Sequence, residues 1–235
     1  FSATFSKEIK SLAQTILRSP TLVEATPENT TVEAIKQEVY RVAKEKKTNL
    51  LIKLIQDGQW KQVLVFTRTK HGANNLCKKL ESARISAMAI HGNKSQGART
   101  KALAGFKNHD VRVLVATDIA ARGLDIPLLP HVVNYELPNI PEDYVHRIGR
   151  TGRAGANGVA LSLVCAEETS YMASIEKLTK QRFKKEIVEG FEPDPNASTV
   201  PPKQGGGRQR GGSRPSNKRQ GSAGGGNRSN NNRRR

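Results

Sequence analysis

From about Val32 to Gly190, short apolar runs alternate with segments of helical periodicity, and that rhythm sets the expected fold. Gln62–Phe66 is apolar at every position after its first, the pattern of a strand covered on both faces. Strands are also predicted over Ser86–Ile90, Val111–Ala116, His131–Tyr135 and Gly158–Val164. Between them, helices are predicted over 72–83, 95–107, Pro141–Ile148 and Glu167–Lys180. An earlier helix is expected over Thr48–Gln56, with Leu50, Leu51, Leu54 and Ile55 as its apolar face and Gly58 as its stop. Pro141, Glu142 and Asp143 suit a first turn and Gly149 a helix end. Glu33–Val42 stays ambiguous, because Ile35, Val39 and Val42 fit a helix while the β-branched content fits a strand. Strands and helices alternating at this spacing imply βαβ units and a parallel sheet, hence an α/β domain over residues 33–190. Strand order is left open.

The flanks read differently. Ser6 suits the cap of a helix through Ile9, Leu12, Ala13, Ile16 and Leu17, which Pro20 ends, and Thr21–Ala25 is short and β-like. One helix and one strand bury too little to form a domain, so residues 1–25 read as a remnant and 26–32 as a linker. The first residue is Phe1 rather than Met, which suggests a fragment. After Gly190 the chain turns polar, and after Val200 it has no Val, Ile, Leu, Met or aromatic residue. Residues 191–235 are therefore expected to be a disordered Gly/Arg/Asn-rich basic tail, serving as a nonspecific RNA tether or as a solubilising segment. After Val200 the tail has no Tyr or Phe, and so no base-stacking surface there beyond arginine itself.

Charge narrows the class of partner. Of a formal charge of +18, ten Lys or Arg lie from Pro201 onward without an acid, so +8 remains on the first 200 residues. Excess of one sign in both parts points to a polyanion, nucleic acid before anionic membrane. No apolar run approaches the roughly 20 residues of a span and no signal peptide is visible, so a cytoplasmic protein without a membrane partner is expected. Cys77 and Cys165 lack the spacing of metal ligands and read as reduced, buried residues, with no disulfide partner and no metal site.

Candidate chemistry gathers at the strand ends and in one octad. In an open parallel sheet, ligands bind at the carboxyl ends of strands. Those ends run into Thr67-Arg68-Thr69-Lys70, into His91-Gly92-Asn93-Lys94-Ser95 and into Thr117-Asp118. Each supplies hydroxyl, cation or glycine ahead of a helix N-terminus, where free N–H groups favour anions; ordinary N-capping explains each one equally well. Gln96 and Arg99 stand one helical turn apart and can face the same edge. Arg122, Asp118 and Asp125 form either a structural salt bridge or, through Asp125, an acceptor for ribose hydroxyls. His146-Arg147-Ile148-Gly149-Arg150-Thr151-Gly152-Arg153 places three arginines at a period of three with glycines before the second and third. Arginine presents a planar fork suited to phosphate oxygens, so the octad reads as a polyphosphate grip or as an Arg-rich surface loop.

These residues resemble the second RecA-like lobe of a DEAD-box RNA helicase, most nearly the bacterial RhlE-type subgroup. Val63–Thr69 is similar to motif IV, Gln96…Arg99 to the QxxR element, Ala116–Asp125 to motif V, Val133–Pro138 to the element after it, and His146–Arg153 to motif VI. Ser2-Ala3-Thr4 resembles motif III, which closes the first lobe. The resemblance implies a RecA-like parallel sheet flanked by helices in a two-lobed ATPase that closes on ATP and single-stranded RNA. It implies that Arg150 and Arg153 reach the γ-phosphate, with Arg153 the arginine finger, and that Asp125 binds the ribose. Ser2, Thr4, Arg122, His146 and Arg147 would couple the lobes. Arg68, Gly92, Asn93, Gln96, Arg99 and Thr117 would hold RNA. No G-x-x-x-x-G-K-[ST] occurs in the 235 residues, so ATP and Mg²⁺ are expected to be bound mainly by the first lobe, and this chain alone is expected not to hydrolyse ATP. The competing expectation is a non-enzymatic RNA-binding or annealing module acting through the basic tail.

Overall fold

The computed structural model describes residues 7–19, 21, 35–124, 126, 129–152 and 158–200. The chain divides into a compact unit, Phe1–Pro202, and a second, Lys203–Arg235, which lies outside the described residues. Of the expected site, Ser2, Thr4, Asp125 and Arg153 also lie outside them, as do the Ser6 cap and all of the Thr21–Ala25 segment except Thr21.

Helix α1 (Lys7–Ile16) carries the expected apolar stripe, with Leu12, Ile16 and Leu17 exposed. The sheet begins with β1 (Lys36–Arg41), which resolves the ambiguous segment as a strand. Then come α2 (Lys47–Asp57), β2 (Val63–Phe66), α3 (Lys70–Ser82), β3 (Ala87–Ile90), α4 (Gln96–Lys107) and β4 (Val113–Ala116). A one-turn helix α5 (Asp118–Ala121) leads to β5 (His131–Asn134), α6 (Pro141–Ile148), β6 (Val159–Val164), α7 (Thr169–Thr179) and the two-residue β7 (Lys185–Glu186). Every described strand pairing is parallel and the order is β3-β4-β2-β5-β6-β1-β7. The register sets Phe66 beside both Ala116 and Asn134, so β4, β2 and β5 end level with one another.

Continuous apolar strands are buried on both faces, as their composition requires. All four residues of β2 and of β4 are buried, with one core on each face. On one side α2 and α3 place Leu50, Leu51, Ile55, Leu76 and Leu80 against Val63, Val65, Val113 and Val115. On the other, Phe106 of α4 meets Leu64, Leu114 and Val132. Tyr144, Ile148, Met172 and Ile175 of α6 and α7 cover β1 and β6. Val188 and Phe191 pack on the first of these cores, and Ala43 N–H donates to the Phe191 carbonyl at 3.4 Å. Core contact thus reaches one residue into the segment expected to be tail.

Candidate functional site

Helix α6 positions the octad. Proline at its start and Glu142 and Asp143 in its first turn favour initiation, and Tyr144 and Ile148 bury its inner face. Arg147 follows them inward and is only 1% exposed. Its Nε and Nη2 donate to Asp118 Oδ1 at 2.6 Å and Oδ2 at 2.8 Å, a bidentate fork on the residue that opens α5. Its Nη1 donates to Asn134 Oδ1 at 3.1 Å and to the Glu136 carbonyl at 2.6 Å. The guanidinium lies 5.0 Å from the Phe66 ring centroid. A buried cation costs several kcal/mol unless its donors are met, and here the carboxylate, the amide, the carbonyl and the ring together meet them. One arginine therefore ties α6 to the carboxyl ends of β2, β4 and β5.

Beside this clamp, Asp118, Arg122, Asp143, His146, Arg147 and Arg150 line a shallow groove of about 20 Å³ with Phe66 and Ala121. Arg122 Nη2 donates to Asp143 Oδ1 at 2.6 Å, and His146 Nδ1 lies 3.7 Å from the same oxygen. Arg122 thus pairs within this domain, with the helix that carries His146. Arg150 donates through Nη1 to the Leu124 carbonyl at 3.4 Å. Its backbone is pinned: Leu129 N–H donates to the Arg150 carbonyl at 3.1 Å, and the Thr151 hydroxyl donates to the Leu129 carbonyl. Gly149 sits at φ −63°, which any residue adopts. Gly152 is the glycine the turn requires, at φ +63° with an added Cβ only 2.7 Å from Ile35 Cγ1. Its freedom serves close packing on Ile35 rather than an open approach from outside.

The strand-end junctions occupy the other half of the same sheet edge. Because β3, β4 and β2 are parallel neighbours, Arg68, Gly92, Asn93 and Thr117 all follow their carboxyl ends. Gly92 and Asn93 are exposed, and space around Gly92 is open. Hydroxyls at Thr69 and Ser95 accept from Gly72 N–H at 3.0 Å and Ala98 N–H at 3.3 Å, so both act as helix caps. Thr117 makes no such cap bond. Gln96 and Arg99 meet, Arg99 Nη1 donating to Gln96 Oε1 at 3.2 Å, and the buried Arg99 Nε has no hydrogen-bond partner. Arg68 is drawn inward: its N–H donates to Glu136 Oε2 at 2.7 Å, and its guanidinium lies 3.9 Å from Glu136, 3.8 Å from Glu168 and 5.5 Å from the Tyr171 centroid. The neighbouring buried pair is Lys47 with Glu168, both nearly inaccessible. Glu168 also accepts from Leu137 N–H at 3.0 Å and Cys165 N–H at 3.2 Å, and Lys47 donates to the Tyr135 carbonyl at 2.9 Å.

The sequence marks the octad and the junctions, places Asn134 and Glu136 only within the Val133–Pro138 element and Asp143 only in a helix's first turn, and gives no role to Glu168. One signal was present: Asn134 is a polar residue closing an apolar strand, and such a position needs an internal partner. Among the described residues no group of three or more His, Cys, Asp or Glu side chains gathers as a metal site, and no helix is long and apolar enough to cross a membrane.

A parallel sheet with this strand order, polar junctions on one edge and a pinned arginine turn beside them defines a RecA-like α/β lobe. The family of helicase conserved C-terminal domains matches residues 46–155. ATP-dependent RNA helicase RhlB of Pseudomonas syringae is 40% identical over 177 residues, 75% of this chain and 45% of its own length. The Escherichia coli DEAD-box protein SrmB, solved bound to the regulator RraA, is 36% identical with a TM-score of 0.65, over 70% of this chain and 97% of that one. Saccharomyces cerevisiae Dbp5, solved with RNA and ADP BeF3, is 32% identical with a TM-score of 0.71, over 80% of this chain and 50% of that one. The chain belongs to the helicase C-terminal domain family, in its DEAD-box branch. It spans between 37% and 50% of the length of eight such curated relatives, named RhlB or CshA.

Proposed function

We propose that this chain is the second lobe of an ATP-dependent RNA helicase of the bacterial cytosol, which couples ATP binding and hydrolysis to RNA binding and local duplex unwinding. The observation that carries the reading is the division of labour in the octad. Arg147 is consumed internally by Asp118, whereas Arg150 stands on a pinned turn at the groove with Arg122 and His146. Asp118 and Asp143 each pair with one arginine of the groove, and Arg150 adds a further cation beside those pairs. That excess of positive charge suits the terminal phosphate of a nucleotide held by another lobe. ATP and Mg²⁺ supply the transferable phosphoryl group and its counter-charge. Arg150 and Arg153 would stabilise the charge that develops as it leaves, and Asp125 would take the ribose. An arginine acting in this way is worth about 10³–10⁵ in rate, or roughly 4–7 kcal/mol of barrier.

On the same reading, Gly92, Asn93, Gln96, Arg99 and Thr117 hold RNA phosphates along the β3-β4-β2 edge, and Ser2, Thr4, Arg122, His146 and Arg147 relay lobe closure. Arg68 would serve chiefly by fixing its junction, since its charge already faces two carboxylates. Assignment to the RhlE-type subgroup rests on motif resemblance and stands beside relatives named RhlB and CshA. The test joins this lobe to a first lobe on one chain and measures RNA-stimulated ATP turnover. Arg150→Ala should lower turnover at least 100-fold while RNA affinity changes little; unchanged turnover would refute the role given to the turn.

A further inference from the structure

We infer that the groove between the end of α7 and the start of β7 is a second binding site for single-stranded RNA, separate from the strand-end junctions. The groove is open, about 620 Å³, and its walls include Glu176, Lys177, Lys180, Arg182, Phe183 and Lys185. Four of these are cations and one is an acid, and the acid is already engaged. Glu176 Oε1 accepts from Phe183 N–H at 3.2 Å and lies 3.0 Å from Lys185 Nζ. Lys177, Lys180 and Arg182 make no ion pair among the described residues, so their charge is directed at the groove and solvent.

The aromatic ring decides the class of ligand. Phe183 is half-buried, held against Tyr144 with centroids 6.2 Å apart, and its remaining surface lines the groove. A rigid ring among phosphate-binding cations is the arrangement that stacks a base while its backbone is neutralised. An acidic peptide would use the cations and have no use for the ring. The location makes the site distinct. Gln181 Oε1 accepts from Gln37 Nε2 at 3.1 Å, and Gln37 is the second residue of β1, so the groove lies at the amino ends of the strands on the β1–β7 edge. The junctions lie at the carboxyl ends, toward the β3 edge. RNA here would be a flanking segment, engaged apart from the strand that the junctions hold.

The test uses the full 235-residue chain and a photocrosslinking oligouridylate carrying 4-thiouridine, with crosslinks mapped by mass spectrometry. Crosslinks within 177–185, Phe183 included, are expected, and they should be lost in the triple variant Lys177→Ala, Lys180→Ala, Arg182→Ala. In the same variant the slope of log affinity against log salt should shrink in magnitude by about 2, at roughly 0.7 per neutralised phosphate contact on single strands. Because Phe183 also packs on Tyr144, Phe183→Leu is paired with Phe183→Tyr: the crosslink yield should drop in the first and survive in the second at matched thermal stability. Absence of crosslinks in 177–185 with an unchanged slope would overturn the site. So would a polyglutamate peptide that binds in the triple-variant-sensitive manner while oligouridylate does not. Crosslinks at residues 67–70, 91–95 and 117 report on the junctions and the proposed function, so failure there and failure here are separately visible.

Discussion

Among the described residues, two buried ion pairs brace this lobe, and they are built to different ends. Lys47–Glu168 is closed: its two side chains are 3% and 1% exposed, and every oxygen of the carboxylate is engaged by backbone N–H or by lysine. Arg147–Asp118 is half open: the arginine is 1% exposed but the aspartate side chain is 23% exposed and borders the groove that holds Arg122, His146 and Arg150. A fully enclosed pair can only hold strands and helices in place. A pair with one face on a groove holds them in place and also feels whatever charge enters there. Similar chemistry thus scaffolds one site and connects the other to the surface.

The largest stability effect is therefore expected at the closed pair. Glu168→Ala strands a buried lysine and several donors and should cost about 3–5 kcal/mol in denaturant unfolding. The double variant Lys47→Met, Glu168→Leu should recover only the part of that loss due to the stranded lysine, because the Leu137 and Cys165 N–H groups still lack their acceptor. Asp118→Ala should cost less, about 2–3 kcal/mol, because water can reach the orphaned guanidinium. A cost at Asp118 equal to or above that at Glu168 would erase the contrast between open and closed pairs. In a two-lobed chain, only the Asp118 variant should also change the ATP dependence of RNA binding.

Smaller effects follow from protonation. Burial lowers the pKa of His131, against a raising effect of Glu38, and burial with Lys94 and Lys70 lowers that of His91, both from 6.5. The unfolded chain then takes up protons first on acidification, so this contribution to stability is constant above about pH 6.5 and lost as pH falls through the lowered values. Burial raises Cys77 to about 12 and Cys165 to about 11 from 9.0, so unfolding releases their protons first and stability declines above about pH 9. Trp60, the one tryptophan of the chain, stacks on His131 at 4.2 Å, so its emission should report the acid limb of this profile. Finally, both cysteines should react with iodoacetamide at pH 8 more slowly than a free thiol, by roughly 100-fold for Cys165 and more for Cys77, because their thiolate fractions are lower. Fast alkylation of Cys165, which donates to Glu168, would show that the closed pair opens on its own.

The fold was legible because continuous apolar strands can only be buried on both faces, and β2, β4 and β5 fall within a residue or two of their expected limits. Strand order was not legible, since it depends on which helix covers which face, and β7 was missed because two charged residues carry no periodic signal. In the octad, charge and spacing alone did not rank the three arginines, and the resemblance set Arg147 apart from Arg150 and Arg153. Helix phase gives the physical difference between the two that the structure describes: Arg147 sits one turn after Asp143 and beside Tyr144 and Ile148 on the inward face of α6, while Arg150 falls past the helix end. Gly152 turns to fit against Ile35, a contact between distant segments that no local pattern reveals. That Arg68 faces two carboxylates was not legible, because Glu136 and Glu168 are far from it in sequence.

The most direct test joins this lobe to a nucleotide-binding first lobe and compares RNA-stimulated ATP turnover with and without Arg153→Ala. Completion of the active site by the octad predicts a fall in turnover of about 10³-fold or more, with RNA affinity nearly intact. Normal turnover in that variant would contradict it.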